Sequence, residues 1–466
     1  MAQLKCDYLV VGAGAVGMAF VDTLLDESAD ATVIMVDNRH QPGGHWNDAY
    51  LFVRLHQPSH FYGVASSDLG QKRVDAQGFN AGFYELATGP EVQAYFERVM
   101  RERFLPSGRV QYFPMTEFEG GTTFRQVLSG ATREVTVHGR VVDSTFLRTS
   151  VPSRHTRGYR VETGVTCIAP NALPTTAADF DHYCILGAGK TAMDTCVWLL
   201  ESGVEPSRMH WVCPRRSWMI NREVTQGSLD FFEQSIGGFA RQLEALAKAT
   251  SVEDAFDRLE ACGFMLRIDP DRRPEMFHYA TISPGEVDCL RRIENVIEAG
   301  RVQSIGPEGL RMQSGKAIAM PAGTLYVDCT ASAVDFGSSA EKPVFEDGLI
   351  TIQPVRMPNP CLSASIAAYV EVHYDDDLRR NQLCKVVSLP DDEAGFIRST
   401  LGNMVNQVVW SFEPELVEFV TNNRLDAFGA AVRDADKSNP AHVAILEKMG
   451  EFSQAALQNL QTLVEL

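Results

Sequence analysis

DYLVVGAGAVGMAFVDTLLDESADATVIMVD, residues 7–37, decides how the rest of the chain is read. DYLVVG is a short apolar strand, and glycines at 12, 14 and 17 follow it. MAFVDTLLDES has the look of a helix, and ATVIMVD is a second buried strand ending in Asp37, 20 residues past Gly17. A lone G-x-G-x-x-G says little, but strand, glycine turn, helix, strand and acid together make a complete dinucleotide-binding unit. Gly12 permits the tight turn, Gly14 lets the backbone approach a pyrophosphate, and Gly17 lets helix and strand pack closely. Amide groups at the helix start then face the phosphates, and the Asp37 carboxylate can accept ribose hydroxyls. An acid in this place suits FAD or NAD.

The second unit starts near residue 179. HYCILGAG (182–189) is followed by the helix-like KTAMDTCVWLLESG, so Gly187, Gly189 and Ala192 form the G-x-G-x-x-A variant. Lys190 and Thr191 stand at the helix start, beside the expected pyrophosphate. The next strand, MHWVCPRRSW, has no acid and carries Arg215 and Arg216 after Pro214. A carboxylate would repel a 2′-phosphate, whereas arginine binds it with charge-assisted hydrogen bonds. NADPH is therefore predicted over NADH, with both arginines as contacts; without the glycine motif they would read as a solvated charge pair.

Size and charge set outer limits. A chain of 466 residues calls for two or three domains. Its net charge of −18 makes nucleic acid and anionic membrane surfaces poor partners. No apolar run reaches the roughly 18–20 residues that span a bilayer, and MAQLKCDYLVVGAG resembles no signal peptide. Ten scattered cysteines without a C-x-x-C pair fit a reducing cytoplasm and argue against a disulfide reductase. The spacing predicts no metal site.

Between the units lies GGHWNDAYLFVRLHQPSHFYG, residues 43–63, with neither strand alternation nor helical spacing. Its Gly43-Gly44, Trp46, Tyr50, Arg54 and Pro58-Ser59-His60-Phe61-Tyr62, taken with the two glycine units, resemble the class B flavin monooxygenases, which include Baeyer–Villiger and N-hydroxylating enzymes. His56 stands where their pattern has Asp. The resemblance implies FAD in the first unit, with Gly43, Gly44, His45 and Trp46 along it and the stretch draped over the ring system. It implies Arg54 and His56 near the reacting centre as catalytic residues. Each of His45, His56 and His60 reads equally well as a hydrogen-bonded core group. The F-x-G-x-x-x-H-x-x-x-(W/Y) pattern common before the second glycine motif is absent; Phe118-Glu119-Gly120 is a partial match far upstream.

The expected fold is α/β, two nested Rossmann-like dinucleotide-binding domains with a helical insertion and a helical C-terminus. Residues 1–178 and 323–466 would form the FAD domain and 179–322 the NADPH domain, with a mostly helical insertion at about 224–300 that caps the cleft or decorates the surface. GTLYVDCTAS (323–332) would return the chain to the first domain. Residues 88–104 predict a helix, and Asn439-Pro440 starts another with Val443, Leu446, Met449, Phe452, Leu457, Leu460 and Val464 on one face, packing on the FAD domain or on another subunit.

By this resemblance the chain is an NADPH-dependent FAD oxidoreductase. A monooxygenase passing through a flavin C4a-peroxide, with a small organic substrate and molecular oxygen, leads the alternatives. An NADPH-consuming flavin reductase or oxidase and a non-catalytic flavin-binding regulatory protein stay open, as does a homodimer.

Overall fold

Val, Ile and Leu runs buried on both faces are the material of parallel sheets, and the chain builds two of them. The computed structural model describes residues 4–332, 334 and 342–465. In the first sheet the parallel strands run in the order Leu349–Thr351, Thr132–Asp143, Leu4–Val11, Val33–Val36, Val110–Phe113. The helix Ala15–Glu27 crosses over between the two central strands. Alternation along each strand sorts the side chains: Val10 and Met35 pack towards that helix, and Leu9 and Ile34 pack on the opposite face against Phe124 and Val135. The expected helix at 88–104 forms as Gly89–Val99 with wider turns over Met100–Phe104. It starts at a reciprocal cap in which Thr88 Oγ1 accepts from Glu91 N–H and Glu91 accepts from Thr88 N–H.

The second sheet is parallel throughout, in the order Val296–Ile297, Met209–Val212, His182–Leu186, Thr324–Asp328, Cys167–Ile168. Two sequence expectations change here. Thr324–Asp328 does not return the chain to the first sheet; it lies beside His182–Leu186, paired from Thr324–His182 to Asp328–Leu186. The return is made by Leu349–Thr351 on Thr132–Asp143, after which helix Pro360–His373 packs on the first helix through a 2.7 Å Thr23–Ser365 hydroxyl contact. The boundary expected at 178 also moves upstream, because Arg160–Val161 and Cys167–Ile168 pair with strands of the second unit. Thr324–Asp328 is buried along its whole length, and a strand buried on both faces suits either parallel sheet; Arg160–Val161 and Cys167–Ile168 are two residues each, too short for their pattern to say which sheet they join.

The insertion contains the helices Phe232–Lys248 and Val252–Ala261, and strands besides. Ser217–Asn221, Met265–Leu266 and Met276–Ile282 form a small sheet of their own, and a short helix, Pro284–Leu290, follows. The C-terminal helix Pro440–Glu465 packs on the insertion helix and on Glu393–Trp410 rather than on the first sheet. Asn459 Nδ2 ties it down by donating to the carbonyls of Leu246 and Ala249 at 2.7 and 2.8 Å. Ala456, Leu460 and Leu463 enter a core with Leu243, Leu246 and Phe256. Among the described residues no helix is long and apolar enough to cross a membrane.

Candidate active site

The first glycine turn is shaped by contacts that only glycine allows. Gly12 has a left-handed φ of +98°, and a Cβ on Gly17 would stand 2.2 Å from the Gly12 carbonyl oxygen. Gly14 begins the helix without a side-chain cap, so its first-turn amides are available to an anion. Gly43 (φ +111°) donates its N–H to the Ala13 carbonyl at 2.8 Å, and a Cβ on Gly44 would come within 2.9 Å of the Gly14 Cα. The two glycine turns therefore touch backbone to backbone. Asp37 is buried and already engaged: Oδ2 accepts from Ala13 N–H at 2.7 Å and Oδ1 from Arg39 N–H at 2.8 Å. Burial raises its pKa, and those two amides oppose the rise. Each oxygen keeps a further lone pair for a hydroxyl.

Residues 43–63 stay irregular, with short helical turns at Gly44–Asp48 and Ser59–Phe61. His45 stacks on Trp46 at 5.5 Å, and Trp46 Nε1 donates to the Tyr62 hydroxyl at 2.8 Å. Arg54 donates from Nη1 to the Leu86 carbonyl at 3.2 Å. His45 and His56 sit deep in a cavity, where desolvation holds each imidazole at a pKa of about 4. For His45 the Arg39 charge adds to this, and for His56 the Lys190 charge does, so both are neutral at pH 7. His60 is buried elsewhere, edge-on to Phe61 and Tyr84, and does not line the cavity.

In the second turn Gly187 has φ +120°, and a Cβ there would lie 2.6 Å from the Cys329 carbonyl oxygen. Trp211 Nε1 holds the turn by donating to the Gly187 carbonyl at 2.7 Å. Gly189 starts helix Lys190–Glu201 without a side-chain cap, and a Cβ on it would meet open space. Thr191 lines the cavity beside it.

Lys190 departs from expectation. Its ammonium is 9% exposed and donates to Asp194 and, at 3.1 Å, to Glu286 Oε1. Glu286 in turn holds Arg222 at 2.6 Å, and Asp194 accepts from the Tyr50 hydroxyl at 2.7 Å. Two cations and two anions thus form one nearly buried, neutral cluster. Burial would raise the Glu286 pKa, but Lys190 and Arg222 outweigh it and bring the carboxyl to about 2. Lys190 and Asp194 share one helix at a spacing of four, whereas Arg222 and Glu286 come from other elements, and only the S-x-x-E cap at Ser283–Glu286 is a local signal that could have drawn attention to Glu286.

The two arginines also part company. Arg215 is exposed and lines the cavity, and its guanidinium has no hydrogen-bond or ion-pair partner among the described residues. Arg216 is engaged by Glu298 and, at 3.0 Å, by Asp269, because its side chain turns towards those carboxylates and away from the cavity.

The cavity has a volume of about 2050 Å³. It brings together His45, Trp46, Tyr50, Arg54, His56 and Tyr62 from the first unit with Gly187, Gly189, Lys190, Thr191 and Arg215 from the second. Gly12, Gly14, Gly17, Asp37, Gly43 and Gly44 form the separate turn described above and do not line it. No group of three or more His, Cys, Asp or Glu among the described residues could hold a metal ion.

No protein-family model matches the chain. It is 44% identical over 423 residues to the uncharacterized protein Rv2000 of Mycobacterium tuberculosis, covering 91% of this chain and 78% of that protein. The uncharacterized protein Mb2023 of Mycobacterium bovis matches to the same extent. Among solved structures, an oxidized steroid monooxygenase bound to NADP aligns with a TM-score of 0.49 and 14% identity, over 79% of this chain and 85% of that one. The polycyclic ketone monooxygenase of Thermothelomyces thermophila aligns at 0.48 and 11%, over 99% and 88%. A cyclohexanone monooxygenase from Rhodococcus sp. Phi1 bound to NADP⁺ aligns at 0.46 and 13%, over 99% and 98%.

Proposed function

This chain belongs to one family with the two mycobacterial proteins, whose names carry no activity, and from its own residues we propose an FAD-dependent NADPH oxidoreductase. The proposed reaction is a monooxygenation of an organic molecule: one oxygen atom enters the substrate and the other leaves as water, with NADPH supplying two electrons. The observation that carries this reading is the shared cavity. The aromatic stretch after the first glycine turn and the whole second glycine turn face the same space.

The residues fit both nucleotides. Each unit has a helix whose first-turn amides lack a side-chain cap, as a pyrophosphate requires. Asp37 has lone pairs left for ribose hydroxyls. Arg215, the unpaired cation at the end of the Met209–Val212 strand, suits the 2′-phosphate of NADPH; Arg216 serves instead to brace the strand end. When bound, FAD supplies the redox chemistry, accepting two electrons from NADPH and passing them to oxygen. The chain orients and shields. Trp46 and Tyr62, joined by their hydrogen bond, present a rigid aromatic wall for a flat ring. Neutral His56 can donate or accept one hydrogen bond without adding charge, and Arg54 offers the cation beside it. The Lys190–Asp194–Glu286–Arg222 cluster fixes Tyr50 and the start of the second helix. All ten cysteines are free, in keeping with work in a reducing cytoplasm.

The test is spectroscopic. Purified protein should carry or take up flavin, and NADPH should bleach it without air. On adding oxygen and substrate, hydrogen peroxide should form at much less than one equivalent per NADPH. One equivalent of peroxide with every candidate substrate would indicate a reductase or oxidase, the reading that His56 in place of Asp favours. A flavin that NADPH never bleaches would leave only a regulatory role, and a protein unable to hold flavin would end the proposal.

A further inference from the structure

Beyond the two nucleotide turns the cavity continues between the insertion helix and the C-terminal helices. Ser235, Phe239, Gln242 and Leu246 recur at steps of four, three and four along Phe232–Lys248, which makes one helical stripe. All four line the cavity, and the stripe is about 16 Å long at 1.5 Å per residue. Phe396 and Met404 face the same space from Glu393–Trp410, and Met449 and Leu457 from Pro440–Glu465. The wall is therefore hydrocarbon and sulfur over most of its length, with methionines that adapt to a guest's shape. Exposed Gln407, Ser411 and Gln454 also line the cavity and mark where it meets solvent.

Two polar residues interrupt the stripe, and the Ser235 hydroxyl is spent on the Phe231 carbonyl at 2.7 Å. Gln242 is 7% exposed and lines the cavity, and its amide has no hydrogen-bond partner among the described residues. The amide atoms stay accessible from the cavity, so a guest with a matching polar atom can bond them, a contact worth about 0.5–1.5 kcal/mol. The charges argue for a neutral guest. Arg356 and Asp426 both line this region, and burial raises the Asp426 pKa while Arg356 opposes the rise, so the two charges act on each other. Arg433 pairs with Asp434 at 2.7 Å, and His278 pairs with Asp391 at 2.7 Å.

We propose that this region is a binding chamber for an elongated, uncharged, mainly hydrocarbon molecule bearing one hydroxyl or carbonyl oxygen, anchored at that oxygen by the Gln242 amide. Resting on the redox function proposed above, the chamber holds the substrate; the occupant's chemistry follows from Gln242 and the apolar stripe alone.

Nile red, a neutral dye that brightens in apolar surroundings, tests this on the protein as purified. The dye should bind and be displaced by lauryl alcohol. Hexanol, six methylenes shorter, should displace it more than a hundredfold less well, at about 0.8 kcal/mol per methylene. Laurate should be at least tenfold weaker than the alcohol. Gln242→Leu should weaken displacement by the alcohol about tenfold while the dye still binds. Phe239→Gln, one helical turn away, should weaken the dye itself about tenfold and so gives a second handle if the first variant fails to fold. The proposal is overturned if no dye binds, if laurate matches the alcohol, or if Gln242→Leu leaves the alcohol unaffected. Dye uptake needs no turnover. A protein that passes this test but is never bleached by NADPH would lose the redox function and keep the chamber.

Discussion

Replacing Glu286 by Gln removes one charge from the buried cluster while keeping an amide oxygen to cap Ser283. In the wild type Oε2 lies 2.6 Å from Arg222 and Oε1 3.1 Å from Lys190, and the residue is only 8% exposed. Its carboxyl titrates at about 2 in the folded protein against an ordinary value of 4.5. A depression of that size is worth about 3 kcal/mol of folding free energy at pH 7, at 1.36 kcal/mol per unit. This agrees with the roughly 3–5 kcal/mol lost when a buried ion pair is broken from one side. In the variant, Lys190 and Arg222 face Asp194 alone, so a net positive charge stays buried. Because the folded pKa is depressed, the wild type's advantage is full above pH 4.5 and disappears as pH falls through about 2. Across that window it should fall by about 1.4 kcal/mol per pH unit. Urea unfolding followed by tryptophan emission reads this directly, since Trp211 and Trp218 are buried in and beside the second sheet. The two proteins should differ by about 3 kcal/mol at pH 7 and by about 2 kcal/mol at pH 3.5. Equal stability at pH 7, or a gap that stays constant on acidification, would refute the reasoning.

Other perturbations separate residues that look alike in the sequence. Arg215→Ala should raise KM for NADPH about tenfold to a hundredfold, the worth of a hydrogen bond to a charged group, and leave KM for NADH unchanged. Arg216→Ala should have a much smaller effect, because that side chain is engaged by Glu298 and Asp269; equal effects in steady-state assays with both cofactors would contradict this. Gly44→Ala places a Cβ 2.9 Å from the Gly14 Cα at φ +56° and should lower the flavin-to-protein absorbance ratio severalfold. Gly450→Ala, where a Cβ meets nothing within 4 Å, should leave that ratio unchanged. His56, with its pKa at about 4, should contribute no break to a rate profile between pH 6 and 8. A break near neutrality that disappears in His56→Asn would show that the imidazole titrates there after all.

Local order along the chain was enough to read both glycine turns, the helices beginning at Gly89 and Pro440, and the amphipathic insertion helix at Phe232–Lys248. Each depends on residues three, four or seven apart, and helix sterics and apolar periodicity act over that range. The same local signals placed Thr324–Asp328 in the wrong sheet, since a strand buried on both faces finds partners in either parallel layer. They also read Lys190 and Arg216 as nucleotide contacts. Asp194 stands four residues past Lys190, within reach of helix spacing, but the second Lys190 partner, Glu286, lies 96 residues away and the Arg216 partner Glu298 lies 82 away, and no spacing rule reaches that far. Gln242 was hidden for the opposite reason: an amide on a mostly apolar stripe reads as a surface residue until the helices around it enclose it.

By itself, then, the sequence determined the local units: two turns where backbone must approach backbone or phosphate, an acid after one and arginines after the other, and an aromatic connection between them. Only the tertiary structure decided which sheet each buried strand joined, which charges neutralised one another, and which faces enclosed the cavity. Backbone sterics act between neighbours in the chain, whereas charge pairing and enclosure act between neighbours in space.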